Sequence, residues 1–208
     1  MRRVNTKLME MGIPYLNSTL LYGLSGTGKT TFGKYIAYKT RLPFCYLNFS
    51  NLIDSYMGST SKNISKAFSY AVSNPCVFML DEVDCISIQR ESVNSGGTDG
   101  EMARITITMM QEFDRLTNDI IVIGATNRLD RIDKALLRRF ALKHEVKILN
   151  NNEKDKMVRK YLSDVNIIFS ESEINDLVSN NDNQSMLLNK LIRLIAQKIT
   201  NDYDSKIA

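Results

Sequence analysis

The sequence predicts an α/β fold, a parallel sheet covered by helices, followed by a small all-helical unit. Three observations carry that reading. Between residues 19 and 148, short apolar runs alternate with stretches of helical spacing, the pattern of a sheet covered on both sides. One run, Cys76-Val77-Phe78-Met79-Leu80, is apolar throughout and stops at Asp81-Glu82, as a strand buried on both faces would. After Asn150-Asn151-Asn152 the composition shifts and only helical patterns remain. The expected division is therefore 1–149 for the α/β domain and 150–208 for the helical one.

The first strand is expected at residues 19–22. Residues 31–40 carry Phe32, Tyr35, Ile36 and Lys39 at helical spacing, and Arg41-Leu42-Pro43 ends that helix, because proline bars its continuation. The aromatic-rich run 44–49 reads as a second strand. Residues 50–54 begin a connection or short helix. Ser59 or Thr60 caps a helix carrying Ile64, Phe68, Ala71 and Val72, which stops near Asn74-Pro75. The polar stretch 89–100, with Gly96, Gly97 and Gly100, reads as a loop. A helix over about 101–116 carries Met102, Ile105, Met109, Met110 and Phe113. Residues 120–125 form another buried strand closed by Thr126-Asn127. Residues 132–139 form a short helix and 143–148 a last, more exposed strand. The tail predicts helices over 153–162, 170–178 and 185–200, the last with an amphipathic stripe of Leu187, Leu188, Leu191, Leu194 and Ile195.

Composition narrows the function classes. The chain has 208 residues, 43% of them hydrophobic, enough for a core. Its net charge of +4, from 27 basic and 23 acidic residues, is a mild excess and no concentrated patch, so nucleic acid is not indicated as a partner. Cys45, Cys76 and Cys85 are odd in number and form no C-x-x-C pair, which points to buried thiols in a reducing, cytoplasmic compartment. No apolar run is long enough to span a membrane, and Met1-Arg2-Arg3 lacks the apolar segment of a secretory signal. His144 is the only histidine and no H-E-x-x-H occurs, so protease chemistry has no support.

The chemistry begins at Gly23-Leu24-Ser25-Gly26-Thr27-Gly28-Lys29-Thr30-Thr31, which fits G-x-x-x-x-G-K-[ST] between a strand and a helix. The glycines let the backbone turn and approach an anion. Loop amides and the helix N-terminus then face phosphates. Lys29 is expected on the β- and γ-phosphates and the Thr30 hydroxyl on Mg²⁺, with ATP as the nucleotide. Asp81 at the end of its strand is the second Mg²⁺ residue, acting mostly through the ion's water shell. Glu82 is expected to orient and polarise the attacking water as general base. Asn127, at the end of the fourth strand, would bridge that water and the γ-phosphate. Three apolar strands thus end in polar residues at the carboxyl edge, where open α/β sheets bind ligands.

On these motifs the chain resembles the AAA+ ATPases, and more narrowly their AAA subfamily. The resemblance covers residues 12–148 well and the tail weakly. Residues 23–30 match Walker A, 77–82 match Walker B, 123–128 match the sensor 1 strand, and 132–140 resemble the second region of homology. It implies a P-loop core of AAA+ type with a small helical lid. It also implies a homo-oligomeric ring, usually hexameric, with ATP between neighbours. Arg138 and Arg139 become candidates for an arginine finger acting on a neighbour's γ-phosphate, a task that suits a planar, always-charged guanidinium. They are adjacent here, where the subfamily often has an intervening Gly, and Ala141-Leu142 follows where an Asp is common. Tyr56-Met57-Gly58 lies where the family carries an aromatic–hydrophobic–Gly pore loop that grips polypeptide. Residues 90–100 correspond in placement to the second pore loop. Arg104 and Glu112-Phe113-Asp114 match positions that couple neighbours in the family. The adenine-contacting segment before Walker A is nearly absent, so a fragment or minimal module is expected, with selectivity from a missing segment, an adaptor or the pore.

Three functions compete at this point. A protein-remodelling or threading motor is supported by Tyr56-Met57-Gly58. A nucleic-acid-linked ATPase, such as a helicase loader or clamp-loader-like factor, wants a basic insertion or DNA-binding domain, and neither is found. A scaffold that binds ATP and scarcely hydrolyses it fits poorly with Glu82, Asn127, Arg138 and Arg139 all in place.

Overall fold

The apolar runs pair in a single direction, and that brings their polar ends together. The computed structural model describes residues 7–8, 10–13, 15–53, 59–86, 97–165, 167–180 and 183–207. Its strands are β1 (Asn17–Tyr22), β2 (Phe44–Asn48), β3 (Val77–Asp81), β4 (Ile121–Thr126) and β5 (Leu142–Glu145). They form one sheet in the order β2-β3-β4-β1-β5, every pair parallel. Register places Asn48 opposite Asp81 and Tyr22 opposite Thr126. A parallel ladder puts all carboxyl ends on one edge, so the polar strand ends are neighbours there.

The helices of this part are α1 (Lys29–Thr40), α2 (Phe49–Ile53), α3 (Thr60–Ser73), α4 (Gly97–Phe113) and α5 (Lys134–Arg139). α1 does not bury the stripe its sequence favours. Lys29, Gly33 and Ala37 face inward, while Phe32 and Tyr35 are 44% and 52% exposed. Close approach explains the choice. A Cβ on Gly33 would lie 3.0 Å from Met79 Sδ and 3.3 Å from the Phe44 ring, so only a glycine lets the helix sit this near the sheet.

α3 buries Ile64, Phe68 and Ala71 as expected, but Val72 is exposed. Ser59 occupies its N-cap position without a side-chain cap bond. α4 starts at Gly97, inside the stretch read as a loop, and ends at Phe113. The core packs aromatic rings edge to face, Phe68 on Phe78 at 5.0 Å and Phe113 on Phe140 at 5.2 Å. Such pairs contribute about 0.5–1.5 kcal/mol beyond their area burial.

The chain divides into two compact units: Met1–Gly23 with Lys29–Glu145, and Leu24–Gly28 with Val146–Ala208. The second contains α6 (Asn151–Val165), α7 (Glu171–Ser179) and α8 (Gln184–Ile207). Val158, Ile174, Leu177, Leu187, Leu191 and Ile195 form its core, and Leu194 packs against them. Its helix starts are capped in two ways. Asn150 and Glu153 exchange side-chain bonds with each other's amides, and Ser170 with Glu173 completes a capping box. The Asn-rich stretch read as a boundary is thus partly a cap and partly the first turn of α6.

Candidate active site

The α1 helix begins at Lys29, so the first residues of the helix are the two polar residues of the motif. Lys29 is buried, and its ammonium donates to two carbonyl oxygens. Nζ lies 2.8 Å from the Gly23 carbonyl and 2.7 Å from Asn127 Oδ1. Burial holds the Lys29 pKa below its ordinary value, against the opposing pull of Asp81 and Asp84. The bond to Asn127 joins the start of α1 to the end of β4 and unites two of the residues singled out from the sequence.

Thr30 donates its hydroxyl to Asp81 Oδ2 at 2.8 Å. A hydroxyl oxygen and a carboxylate are hard donors of the kind Mg²⁺ takes, with water and phosphate completing its shell. These two residues could hold that ion. Asp81 Oδ1 accepts the Glu82 amide at 3.0 Å. The Glu82 backbone then turns left-handed, with φ 56° and ψ 44°. That conformation costs a residue with a Cβ about 1–2 kcal/mol. It parts the two acids, so that Asp81 meets Thr30 while the Glu82 carboxylate has no hydrogen-bond partner among the described residues. Backbone strain of this kind concentrates at functional positions.

The segment Leu24–Gly28, which belongs to the second unit, has the backbone geometry of a tight glycine turn. Gly26 and Gly28 have φ of 76° and 93°, which residues with a Cβ rarely adopt. Leu24 and Ser25 are exposed, and buried Thr27 donates to the Leu24 carbonyl at 2.9 Å. Within the second unit the Gly26 carbonyl accepts the Ser185 amide at 3.1 Å. A Cβ on Gly26 would come within 2.8 Å of Asn183 Oδ1, so the loop tip fits against the start of α8. Thr31 is exposed on the first turn of α1.

Arg138 and Arg139 occupy the last turn of α5, and their surroundings differ. α5 is fixed at its start by Asp133, whose carboxylate accepts the amides of Ala135 and Leu136. At its end the Ser18 hydroxyl donates to the Arg139 carbonyl at 2.9 Å and accepts from the Ala141 amide. The Arg139 side chain forms a fork on Asp114, at 2.8 and 2.7 Å, and also donates to the Ala135 carbonyl. Arg138 is exposed and has no ion-pair partner among the described residues. Glu112 pairs with Arg115 at 3.1 Å, and Arg104 is exposed.

Three participants were not singled out from the sequence. Thr126 donates to Asp84 Oδ1 at 2.6 Å and accepts the Arg128 amide at 2.9 Å, fastening the ends of β3 and β4 on either side of Asn127. The D-E-x-D spacing of Asp81, Glu82 and Asp84 was the available signal. Tyr46 of β2 donates to Asp81 Oδ2 at 3.1 Å. Its phenol pKa is raised, first by burial and also by the Asp81 and Glu82 carboxylates.

Tyr56, Met57 and Gly58 lie outside the described residues, as do residues 90–96 of the second loop; residues 97–100 open α4. Cys76 is buried, and burial with a hydrogen bond to Cys45 pushes its thiol up to about 12. Exposed His144 sits on β5, away from any ligand set among the described residues.

Residues 19–148 match the family model described as ATPase family associated with various cellular activities (AAA). The chain is 39% identical over 135 residues to peroxisomal ATPase PEX6 of Arabidopsis thaliana, covering 63% of this chain and 14% of that protein. It is 34% identical over 182 residues to the 26S proteasome regulatory subunit 6B homolog of Saccharomyces cerevisiae, covering 85% of this chain and 42% of that protein. It is 36% identical over 132 residues to the proteasome-activating nucleotidase of Methanosphaerula palustris, covering 62% and 32%. The matched region thus spans from 14% to 42% of these relatives' length.

Proposed function

The chain belongs to the AAA family of ATPases, and from that premise we propose that it is an ATP-hydrolysing motor module that remodels or threads protein substrates as a ring. In this reading residues 1–149 are the nucleotide-binding domain and 150–208 the lid. One observation carries it: the buried ammonium of Lys29 bonds the Gly23 carbonyl and Asn127 beside a Thr30–Asp81 pair, while the Glu82 carboxylate has no hydrogen-bond partner among the described residues. A buried ammonium at the phosphate loop and a carboxylate at the adjoining strand end are the groups that a triphosphate and a water require.

The roles follow from position. Lys29 and the amides of residues 23–31 bind the phosphates of ATP, and Lys29 exchanges its carbonyl partners for phosphate oxygens. Thr30 and Asp81 hold Mg²⁺, which when bound neutralises phosphate charge. Glu82 takes the proton of the attacking water. Asn127, fastened between Lys29 and the Thr126–Asp84 bond, orients that water and the γ-phosphate. Arg138 is the arginine finger, because its guanidinium is exposed, whereas Arg139 is committed to Asp114. Tyr56-Met57-Gly58 is the polypeptide-gripping loop by its sequence match.

A hexameric ring and a polypeptide substrate or adaptor belong to this proposal. They are supported by relatives that include proteasome regulatory subunits and a proteasome-activating nucleotidase. The free cysteines support a cytoplasmic setting. Among the described residues no helix is long and apolar enough to cross a membrane. A nucleic-acid-linked role is not favoured by these relatives. The test is ATP turnover measured across protein concentration, with unfolded polypeptide or with single- and double-stranded DNA. Specific activity that rises with concentration and responds to polypeptide is expected; stimulation by DNA alone would overturn the motor reading.

A further inference from the structure

Asp81 receives one donor that the functional reading above does not need. Its Oδ2 accepts both the Thr30 and Tyr46 hydroxyls, at 2.8 and 3.1 Å, and its Oδ1 accepts the Glu82 amide. An ionised carboxylate offers about four lone-pair sites, so these three donors leave about one free, on Oδ1.

Tyr46 reaches this position by sheet geometry. It pairs with Met79 in the register of β2 and β3, and Asp81 lies two residues further along β3 on the same face. That diagonal spacing is within reach of an aromatic side chain. The ring stacks on Phe44, with centroids 6.2 Å apart and planes 26° from parallel. The hydroxyl is also directed. Asn48 Oδ1 accepts the Ser50 hydroxyl and the Asn51 amide at the start of α2, so its amide group is the part that turns toward Tyr46. Asn48 Nδ2 donates to the phenol oxygen at 3.3 Å. The amide can only donate, so the proton of the phenol is committed to Asp81.

We propose that Tyr46 is a positioning residue for the metal carboxylate: its hydroxyl fixes the plane of Asp81 and so strengthens binding of the divalent ion that accompanies ATP. The inference rests on the functional reading above. It adds a role for a residue that sequence patterning marks only as part of a strand. Partners of metal ligands act this way in general, by setting the orientation of the ligand before the ion arrives.

The experiment compares the unmutated chain with Tyr46→Phe. Phenylalanine keeps the ring on Phe44 and removes only the hydroxyl, and the residue is 48% exposed, so the fold is retained. Binding of a fluorescent ATP analogue is followed while MgCl₂ is titrated, and again in EDTA. The Mg²⁺ midpoint should rise about threefold to tenfold in the variant, the scale of one ordinary hydrogen bond at a half-exposed side chain. Affinity in EDTA should not change. An unchanged Mg²⁺ midpoint overturns the proposal. So does an equal weakening with and without metal, since the hydroxyl would then act on the nucleotide or the fold. An unmutated chain that binds no nucleotide would overturn the functional reading itself. Normal binding with no shift in Tyr46→Phe removes only the role of Tyr46.

Discussion

The carboxyl edge of the sheet and the helical unit use similar polar residues to opposite ends. In the helical unit, charges answer one another. Arg159 clamps Asp155 and Glu171, and Lys198 binds Glu173 while lying 4.1 Å from the centroid of the Phe169 ring. Ser170 closes the group by capping α7. At the sheet edge Lys29 donates to carbonyls while Asp81 takes hydroxyls and an amide. Charge there is gathered around the phosphate loop, with both Asp81 and Asp84 acting on Lys29. Paired surface charges contribute little to stability, about 0–1 kcal/mol each. A buried ammonium whose pKa burial lowers is costly, and its retention marks a place where a ligand completes the arrangement.

Breaking the sheet edge should therefore abolish activity, with effects far larger than any change in the helical unit. Lys29→Ala removes the cation that meets the β- and γ-phosphates. Loss of both nucleotide binding and turnover is expected by titration and phosphate release, and unchanged ATP affinity would dissolve the contrast. Glu82→Gln keeps shape and hydrogen bonding but loses the base. It should bind ATP normally and turn over roughly 10²-fold more slowly or worse. Near-normal turnover would show that the Glu82 carboxylate is not the base.

The two adjacent arginines reproduce the contrast within one helical turn. Arg138→Ala should leave the melting temperature unchanged, retain ATP binding, and lower turnover by about 10³-fold, the scale of an arginine finger supplied by a neighbour. Mixed with Glu82→Gln protein under conditions of assembly, it should recover part of the activity. Its own intact Glu82 site then meets the partner's intact Arg138. Arg139→Ala should instead cost stability, about 1 kcal/mol after allowing for a partly exposed pair, and Asp114→Asn should cost a similar amount. If Arg139→Ala abolishes turnover at full stability, the two assignments are reversed.

Where sequence and structure agree, local pattern was enough. β3 and β4 are legible because strands buried on both faces are apolar throughout, and Asp81 and Asn127 are legible because they end those runs. The Leu187–Leu191–Ile195 stripe is legible because one face of α8 meets one core. Other features depend on residues distant in sequence. Phe32 and Tyr35 turn outward because Gly33 must meet Met79 and Phe44, a demand set by another strand. The fate of Arg139 depends on Asp114, 25 residues away. Tyr46 depends on the register of β2 against β3, which no local period reports. The left-handed turn at Glu82 has no sequence signal of its own, since residues with a Cβ rarely adopt it.

The smallest effect belongs to the paired charges, and acid titration isolates it. Glu173 has its pKa lowered to about 2, first by the Lys198 ammonium and then by the Ser170 amide and hydroxyl. A carboxylate whose folded pKa is depressed binds its proton more readily when the chain is unfolded. Its stabilising contribution is therefore complete above the unfolded pKa, about 4.3, and is lost as pH falls toward about 2. Many other carboxylates titrate in the same window, so a single melting curve does not identify it. The difference between unmutated protein and Glu173→Gln does. That difference in melting temperature should be small and constant from neutral pH to about pH 5, then shrink steadily as pH falls through about 2. It should also fall with added salt, because the pair is exposed to solvent. ATP affinity at neutral pH should be the same in both proteins. A difference that stays constant down to pH 2 would mean that Glu173 stabilises α7 without its charge. Removing a matched charge would then be no gentler in kind than removing any other cap.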